Sequence, residues 1–355
     1  MDKKLKDCFG CLSKYRTPDG VAVRRYPPER DEDAYLLDFG SPYSIDAFQK
    51  ILLSKTFRRL NYKTQVFTAN VNAHVRTRSS HTYEVVSIAT AIARILGLNE
   101  NLCQAIALGH DIGHVPFGHT GEKFISKITG KNFRHEVFSA VIAQKIERKG
   151  GGLNLTHQVL EGILNHSRGA GSLWIGEKMS PEAAATMFAD KIAYIWADIN
   201  DIFVKTKFLN INDFPELGKL VNECGKDQRE RVAFCIKNLC CESAEKGAVS
   251  FTSSTAAQIF SRMKELMYLN FYETLRDIAS LEKVLGRVYK FLAETPIIKD
   301  ADPAIVLSLM TDNDVLSLNS KNVINAEDFY GCSVTEILPY LKGKDIDFTD
   351  PDLDW

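Results

Sequence analysis

From Ser44 onward the hydrophobic positions of the chain fall at helical spacing. Ile45, Phe48, Ile51 and Leu52 recur at intervals of three and four, and so do Val85, Ile88, Ala89, Ile92, Ile95 and Leu96, the periodicity that lines one face of an α-helix. Helical patterns resume through 256–292 and, more weakly, through 304–310 and 334–341. Strict alternation is nearly absent. Its exceptions are Gln65 to Val75, which reads as a short hairpin, and Ala248 to Thr255, where Gly, Ser and Thr mark a loop between helices. Pro18, Pro27, Pro28 and Pro42 interrupt the polar start of the chain. The pattern therefore predicts an all-α fold in three parts: an irregular N-terminal arm over 1–45 that packs on a neighbouring surface or subunit, a helical core over 46–210, and a helical C-terminal region over 211–355 packed on that core. The acidic end, Asp345 to Trp355, reads as solvated.

Composition narrows the partners. The 355 residues carry a formal net charge of -1, with 45% hydrophobic and 25% charged positions, so there is no general affinity for polyanions and any phosphate site must be locally basic. No run approaches the ~18 apolar residues of a membrane span, and Met1 to Lys14 lack an apolar signal region. A cytoplasmic protein without membrane contact is expected, and its eight cysteines read as reduced thiols. Cys8 and Cys11 form one Cys-x-x-Cys, but no second pair of matching spacing completes a four-ligand zinc site. Cys240 and Cys241, adjacent on a helix, point about 100° apart.

The candidate chemistry is concentrated in one stretch, because all eight histidines lie between His74 and His166. Within it, Leu108-Gly109-His110-Asp111-Ile112-Gly113-His114 sets His beside Asp, with a further His that an ideal helix would place about 40° from the first. Imidazole nitrogen and carboxylate oxygen together suit a first-row divalent ion. Two ligands make a weak site, so others must come from elsewhere. His81 qualifies, because it opens a helix expected over Thr82–Gly97 with Ser79 or Ser80 as its cap. So does Asp190, which shares a helix face with Tyr194 and Asp198, all within about 80° over two turns. Taken singly, each of these reads most simply as a hydrogen-bonded core residue or a surface charge.

Together, His81, His110-Asp111 and Asp190 resemble the H…HD…D signature of the HD superfamily of helical metallophosphohydrolases. Phe57-Arg58-Arg59-Leu60, Lys63-Thr64-Gln65-Val66-Phe67, Arg76-Thr77-Arg78, the run from His110 to Glu122 and that from Leu153 to His166 are similar to its deoxyguanosine triphosphate triphosphohydrolase branch. The likeness covers roughly 44–205 and implies an HD-domain helical bundle with additional C-terminal helices.

It also implies roles. His81, His110, Asp111 and Asp190 would hold a divalent ion, with manganese, iron, cobalt, nickel and magnesium all compatible. His119 and Glu122 would form a catalytic pair, brought back toward the ion by the reversal at Pro116 and Gly118, with His135 as a further catalytic histidine on the phosphate side. His114, Lys191, Tyr194, Arg59 and Arg78 would contact phosphates, and Asp198 and Gln65 the deoxyribose. Arg58 has the weaker claim among the arginines, and Arg276 and Arg287 compete for a phosphate contact from the C-terminal half. The implied reaction converts a deoxynucleoside triphosphate to deoxynucleoside and tripolyphosphate. An HD-type nucleotidase or phosphodiesterase needs the ligands but not Lys191, Tyr194 and Asp198 together, and a nucleotide-binding regulator without turnover would not need the intact His119–Glu122 pair. Members of the branch commonly form homo-oligomers, often hexamers, and some bind single-stranded nucleic acid, which this near-neutral composition does not support.

Overall fold

The computed structural model describes residues 3–27, 30, 40–65, 74–167, 179–272 and 278–355. They form an all-α fold; among the described residues the β pairing consists of two single antiparallel contacts, Arg24 with Thr156 and Thr64 with Thr77. The hairpin expected over 65–75 falls mostly on residues 66–73, which lie outside the described set.

Ten helices organise the site: α1 Arg78–Leu96, α2 Glu100–Gly109, α3 His119–Thr129, α4 His135–Val141, α5 His157–Asn165, α6 Pro181–Asn200, α7 Gln228–Lys246, α8 Thr255–Met267, α9 Ile278–Glu294 and α10 Asp312–Asn319. Helix α6 packs along α1 and touches α2, α5 and α7; α4 lies on α5, and α9 lies on α3 and α10.

Two of the helix boundaries differ from those the sequence suggests. Helix α1 begins at Arg78, because the Thr77 hydroxyl accepts the Ser80 amide while the Ser80 hydroxyl accepts the Thr77 amide. That reciprocal cap satisfies two otherwise orphaned donors and sets His81 inside the first turn rather than at the helix start. Gly97, at φ 81°, closes the helix in the left-handed conformation that glycine adopts freely. Helix α2 stops at Gly109, so His110 and His114 do not share a helix. Residues 110–113 form turns instead, closed by a bond from the His114 amide to the Asp111 carbonyl (3.1 Å).

The buried side chains fall into two groups. One unites α2 to α5 with Leu285, Val288 and Leu292 of α9 and the segment from Ile305 to Phe348. The other unites α1, α6, α7 and α8 around Trp196, whose indole N–H reaches Cys235 Sγ (3.3 Å). Each fully buried Val, Leu or Ile contributes about 1.5–3 kcal/mol, and residues beyond 211 feed both groups. The first residues are fastened to the same body. Cys8 and Leu12 are buried against α1 and α7, Thr17 binds Glu182, and Arg24 forms a buried ion pair with Asp46 (2.6 Å). All eight cysteines are free thiols, and Cys8 Sγ lies 3.7 Å from Cys241 Sγ. Among the described residues no helix is long and apolar enough to cross a membrane.

Candidate active site

The turn that carries His110 and Asp111 is held by one hydroxyl. Ser139 Oγ, on α4, donates to the His110 carbonyl (3.0 Å) and accepts the Gly113 amide (2.8 Å). Such an approach requires glycine at 113, since a Cβ there would stand 2.3 Å from Ser139 N and 2.4 Å from the His135 carbonyl oxygen. Both obstacles are backbone and cannot swing aside. Gly113→Ala is therefore expected to lower stability by roughly 1–3 kcal/mol and to displace the His110 turn, measurable as a lower Tm together with weakened metal retention.

His81, His110 and Asp111 form a buried group beyond this turn, and Asp190 lies beside its two histidines. His81 Nε2 lies 3.0 Å from Asp190 Oδ1, and His110 Nε2 lies 3.3 Å from Asp111 Oδ1 and 3.8 Å from Asp190 Oδ1. Donors about 2.1 Å from an ion stand about 3.0 Å apart at a right angle and about 3.4 Å apart at the tetrahedral angle, so the two shorter spacings match donors that share a divalent cation, and the third is wider.

The protonation pattern supports the same fit. His110 Nδ1 sits 2.6 Å from the Ala107 carbonyl, and a carbonyl only accepts, so Nδ1 carries the proton and Nε2 presents a lone pair. That Nε2 is buried without a hydrogen-bond partner and faces two carboxylates. Lone pair against carboxylate is unfavourable unless a cation stands between them. Burial alone would raise both carboxyls, but the positive charge around Asp111, that of Arg78 included, holds it well below the usual carboxylate range, and the His81 hydrogen bond lowers Asp190. Both are therefore held as carboxylates. Arg78 Nη1 completes the set by binding Asp111 Oδ2 (2.9 Å).

A second cluster adjoins the first. The chain reverses through Phe117 (φ 61°) and Gly118 (φ 56°), so that α3 starts at His119 and returns Glu122 to the histidines. The Glu122 carboxylate lies 3.0 Å from His135 Nδ1, 3.0 Å from His114 Nδ1 and 3.3 Å from His119 Nδ1. His114 stacks on His135 at 3.8 Å and its Nε2 meets Asp111 Oδ1 at 3.1 Å, which joins the two clusters. His119 is the exposed member, at 63%. Burial pushes His114 down to about 3, assisted by the Arg78 and His135 charges, so it is neutral.

His135 is the opposite case. Burial pulls its imidazolium down, yet the Glu122 charge and hydrogen bond, with Glu136 and Asp111, outweigh burial and raise it to about 9. Its Nε2 lies 3.3 Å from His166 Nε2, and His166 Nδ1 donates to the Ile163 carbonyl (2.6 Å). His166 therefore accepts at Nε2, and His135 donates from both nitrogens. A histidine with its folded value above the ordinary ~6.5 contributes its charge-dependent stability below that pH and loses it as the pH climbs through the folded value. The stability gap between wild type and His135→Gln is accordingly expected to be full at about pH 6 and to shrink until little remains above about pH 9, as read from denaturant unfolding at each pH.

Helix α6 supplies the adjoining wall. Lys191 is 4% exposed, Tyr194 is half-buried with its ring 6.4 Å from that of Tyr272, and Asp198 is buried with Oδ1 on Arg76 (2.6 Å) and Oδ2 on the Tyr272 hydroxyl (2.7 Å). Gln65 is half-buried beside the Thr64–Thr77 contact. Arg59 is buried and gives its Nη2 to Thr56 (2.9 Å), next to Glu147. Arg276 lies outside the described residues. Arg287 binds the Asn319 and Asn322 carbonyls (2.5 and 2.9 Å) and so fastens the end of α10.

Sequence reasoning gave no role to His166, Ser139, Arg76, Lys63 or Tyr272. His166 stood in a quoted motif. Arg76 and Lys63 did too, whereas nothing about Ser139 or Tyr272 marks them in the sequence.

Comparison with known proteins bears on the same residues. The HD domain family model matches 78–195, which contains all four donors. A deoxyguanosinetriphosphate triphosphohydrolase-like protein of Desulfatibacillum aliphaticivorans is 35% identical over 296 residues, 79% of this chain and 80% of that protein. The chain belongs to the deoxyguanosinetriphosphate triphosphohydrolase-like family. Proteins of the same name from Caldanaerobacter subterraneus and Clostridium tetani are 38% and 36% identical over 245 and 240 residues, spanning 68% and 66% of this chain and 69% and 68% of theirs. As a member of this family the protein is an HD-domain, metal-dependent hydrolase, and its His81, His110 and Asp111 form a buried group able to hold the ion.

Proposed function

We propose that the protein hydrolyses deoxynucleoside triphosphates at the α-phosphorus, releasing deoxynucleoside and inorganic tripolyphosphate. The observation that carries this reading is the joining of two clusters through His114: four donors fit for one divalent ion on one side, and the Glu122-centred histidines on the other.

His81, His110, Asp111 and Asp190 would hold the ion, of the manganese, iron, cobalt, nickel or magnesium class. When bound, such an ion polarises a phosphate oxygen and acidifies water in contact with it. The residues of the chain supply the rest. His119, exposed and 3.3 Å from Glu122, is free to meet substrate while the carboxylate fixes its ring, the arrangement required of an imidazole that moves a proton near neutral pH. His135, protonated between Glu122 and His166, contributes a fixed positive charge beside the developing negative charge on phosphate oxygens. Arg78, Lys191 and Tyr194 are the further phosphate contacts. Asp198, already oriented by Arg76 and Tyr272, is the acceptor for the sugar 3′-hydroxyl, since each carboxylate oxygen retains a lone pair beyond the bond it has made, and Gln65 is the contact from the opposite wall.

Incubation of the purified protein with each deoxynucleoside triphosphate and a divalent ion, followed by ion-exchange separation, tests the reading. Tripolyphosphate with free deoxynucleoside is the expected outcome. Orthophosphate or pyrophosphate as the inorganic product rejects it.

A further inference from the structure

The C-terminal region contributes a buried carboxylate that no part of the mechanism above uses. Asp312, the first residue of α10, is 1% exposed. Its Oδ1 accepts the Phe117 amide (2.9 Å), and its Oδ2 accepts both the Thr64 amide (3.0 Å) and the Thr64 hydroxyl (2.5 Å). These partners come from segments about fifty residues apart in the chain, and each leads directly to the site. Phe117 precedes Gly118 and His119. Thr64 pairs with Thr77 at the head of α1, the Lys63 carbonyl accepts the Arg78 amide (3.0 Å), and the Lys63 ammonium donates to the His114 carbonyl.

The Phe117 turn needs such an anchor. A bulky residue at φ 61° sits in a conformation that persists only when its surroundings over-determine it, and a buried Phe117 N–H without an acceptor would cost the desolvation of that group. One carboxyl group with two acceptor oxygens meets both needs and also fixes how far the His119 turn stands from the head of α1, which bears His81 and Arg78. A neutral side chain of the same shape cannot do so, because an amide offers one acceptor atom where three donors converge.

We propose that Asp312 is a positioning residue for His119, holding the Phe117 turn and the head of α1 at a fixed separation. The proposal rests on the catalytic role assigned to His119 above. Because the reacting groups are reached only through backbone, the loss is expected in kcat, with KM and bound metal unchanged.

The test is a double-mutant cycle of Asp312→Asn with His119→Ala on the full-length protein, read as kcat for a deoxynucleoside triphosphate. In the native background Asp312→Asn is expected to lower kcat roughly ten- to hundredfold, as displacements of about 1 Å do. In the His119→Ala background it is expected to cost no more than about twofold, because the residue it positions is gone. Equal losses in the two backgrounds, or no loss in either, overturn the proposal. If Asp312→Asn does not fold, Thr64→Val, which removes one hydroxyl donor, enters the same cycle under the same criteria. Failure of the substrate reading is separable, since a wild type that releases no tripolyphosphate rejects that reading alone. The clamp is then judged from the ring resonances of His119 by NMR: displacement in Asp312→Asn supports it, and unchanged resonances overturn it.

Discussion

Replacing His110 with alanine is expected to strip the protein of its divalent ion and to lower kcat/KM by about a thousandfold or more. His110 lies at the centre of the donor set: its Nε2 faces both Asp111 and Asp190, and its Nδ1 is committed to the Ala107 carbonyl. The neighbouring imidazoles are already engaged, His81 with Asp190 and His166 with the Ile163 carbonyl. Without the imidazole, two carboxylates and one histidine remain, a set too sparse to retain a first-row ion against water. Elemental analysis after gel filtration and steady-state kinetics measure the two effects. His157→Ala is the matched control: this ring bonds the Leu353 carbonyl and packs on Trp355, and metal content should be unchanged.

The second large effect is expected at Glu122. Glu122→Gln should lower kcat by roughly a hundred- to a thousandfold while leaving the metal in place. Three imidazole nitrogens surround this carboxylate within 3.3 Å. Burial would raise its pKa, but the His119 and His135 charges hold it well below the usual carboxylate range, so it is an anion that only accepts. Glutamine keeps the shape and loses the charge. Its amide nitrogen must oppose at least one ring N–H, His135 loses the partner that raises it to about 9, and His119 loses the group that fixes its tautomer. A variant with full metal content and near-normal kcat would show that the histidine cluster is structural.

The legible parts of this protein were those in which chemistry dictates residue type. The candidate ligands at 81, 110, 111 and 190 could be singled out because few side chains bind a divalent ion, and helical periodicity revealed α1, which carries the first of them. Helix ends were harder to read. The Thr77–Ser80 cap is a local competition between hydroxyls that left Ser79 and Ser80 equally plausible. The stop at Gly109 follows from Ser139, thirty residues away, which captures the His110 carbonyl and the Gly113 amide. Least legible were the contributions from beyond residue 211. Asp312 and Tyr272 are unremarkable in their own segments, and only packing brings them to Phe117, Thr64 and Asp198. Arg59 illustrates the converse. A guanidinium suits phosphate by its shape, and packing sets the Nη2 of this one on the Thr56 hydroxyl.

The most direct measurement is an anomalous difference map from a crystal of the protein equilibrated with manganese. A single strong peak is predicted within coordination distance of His81 Nε2, His110 Nε2, Asp111 Oδ1 and Asp190 Oδ1. A map without density at that point, or with the ion held elsewhere and Asp190 uninvolved, would contradict it.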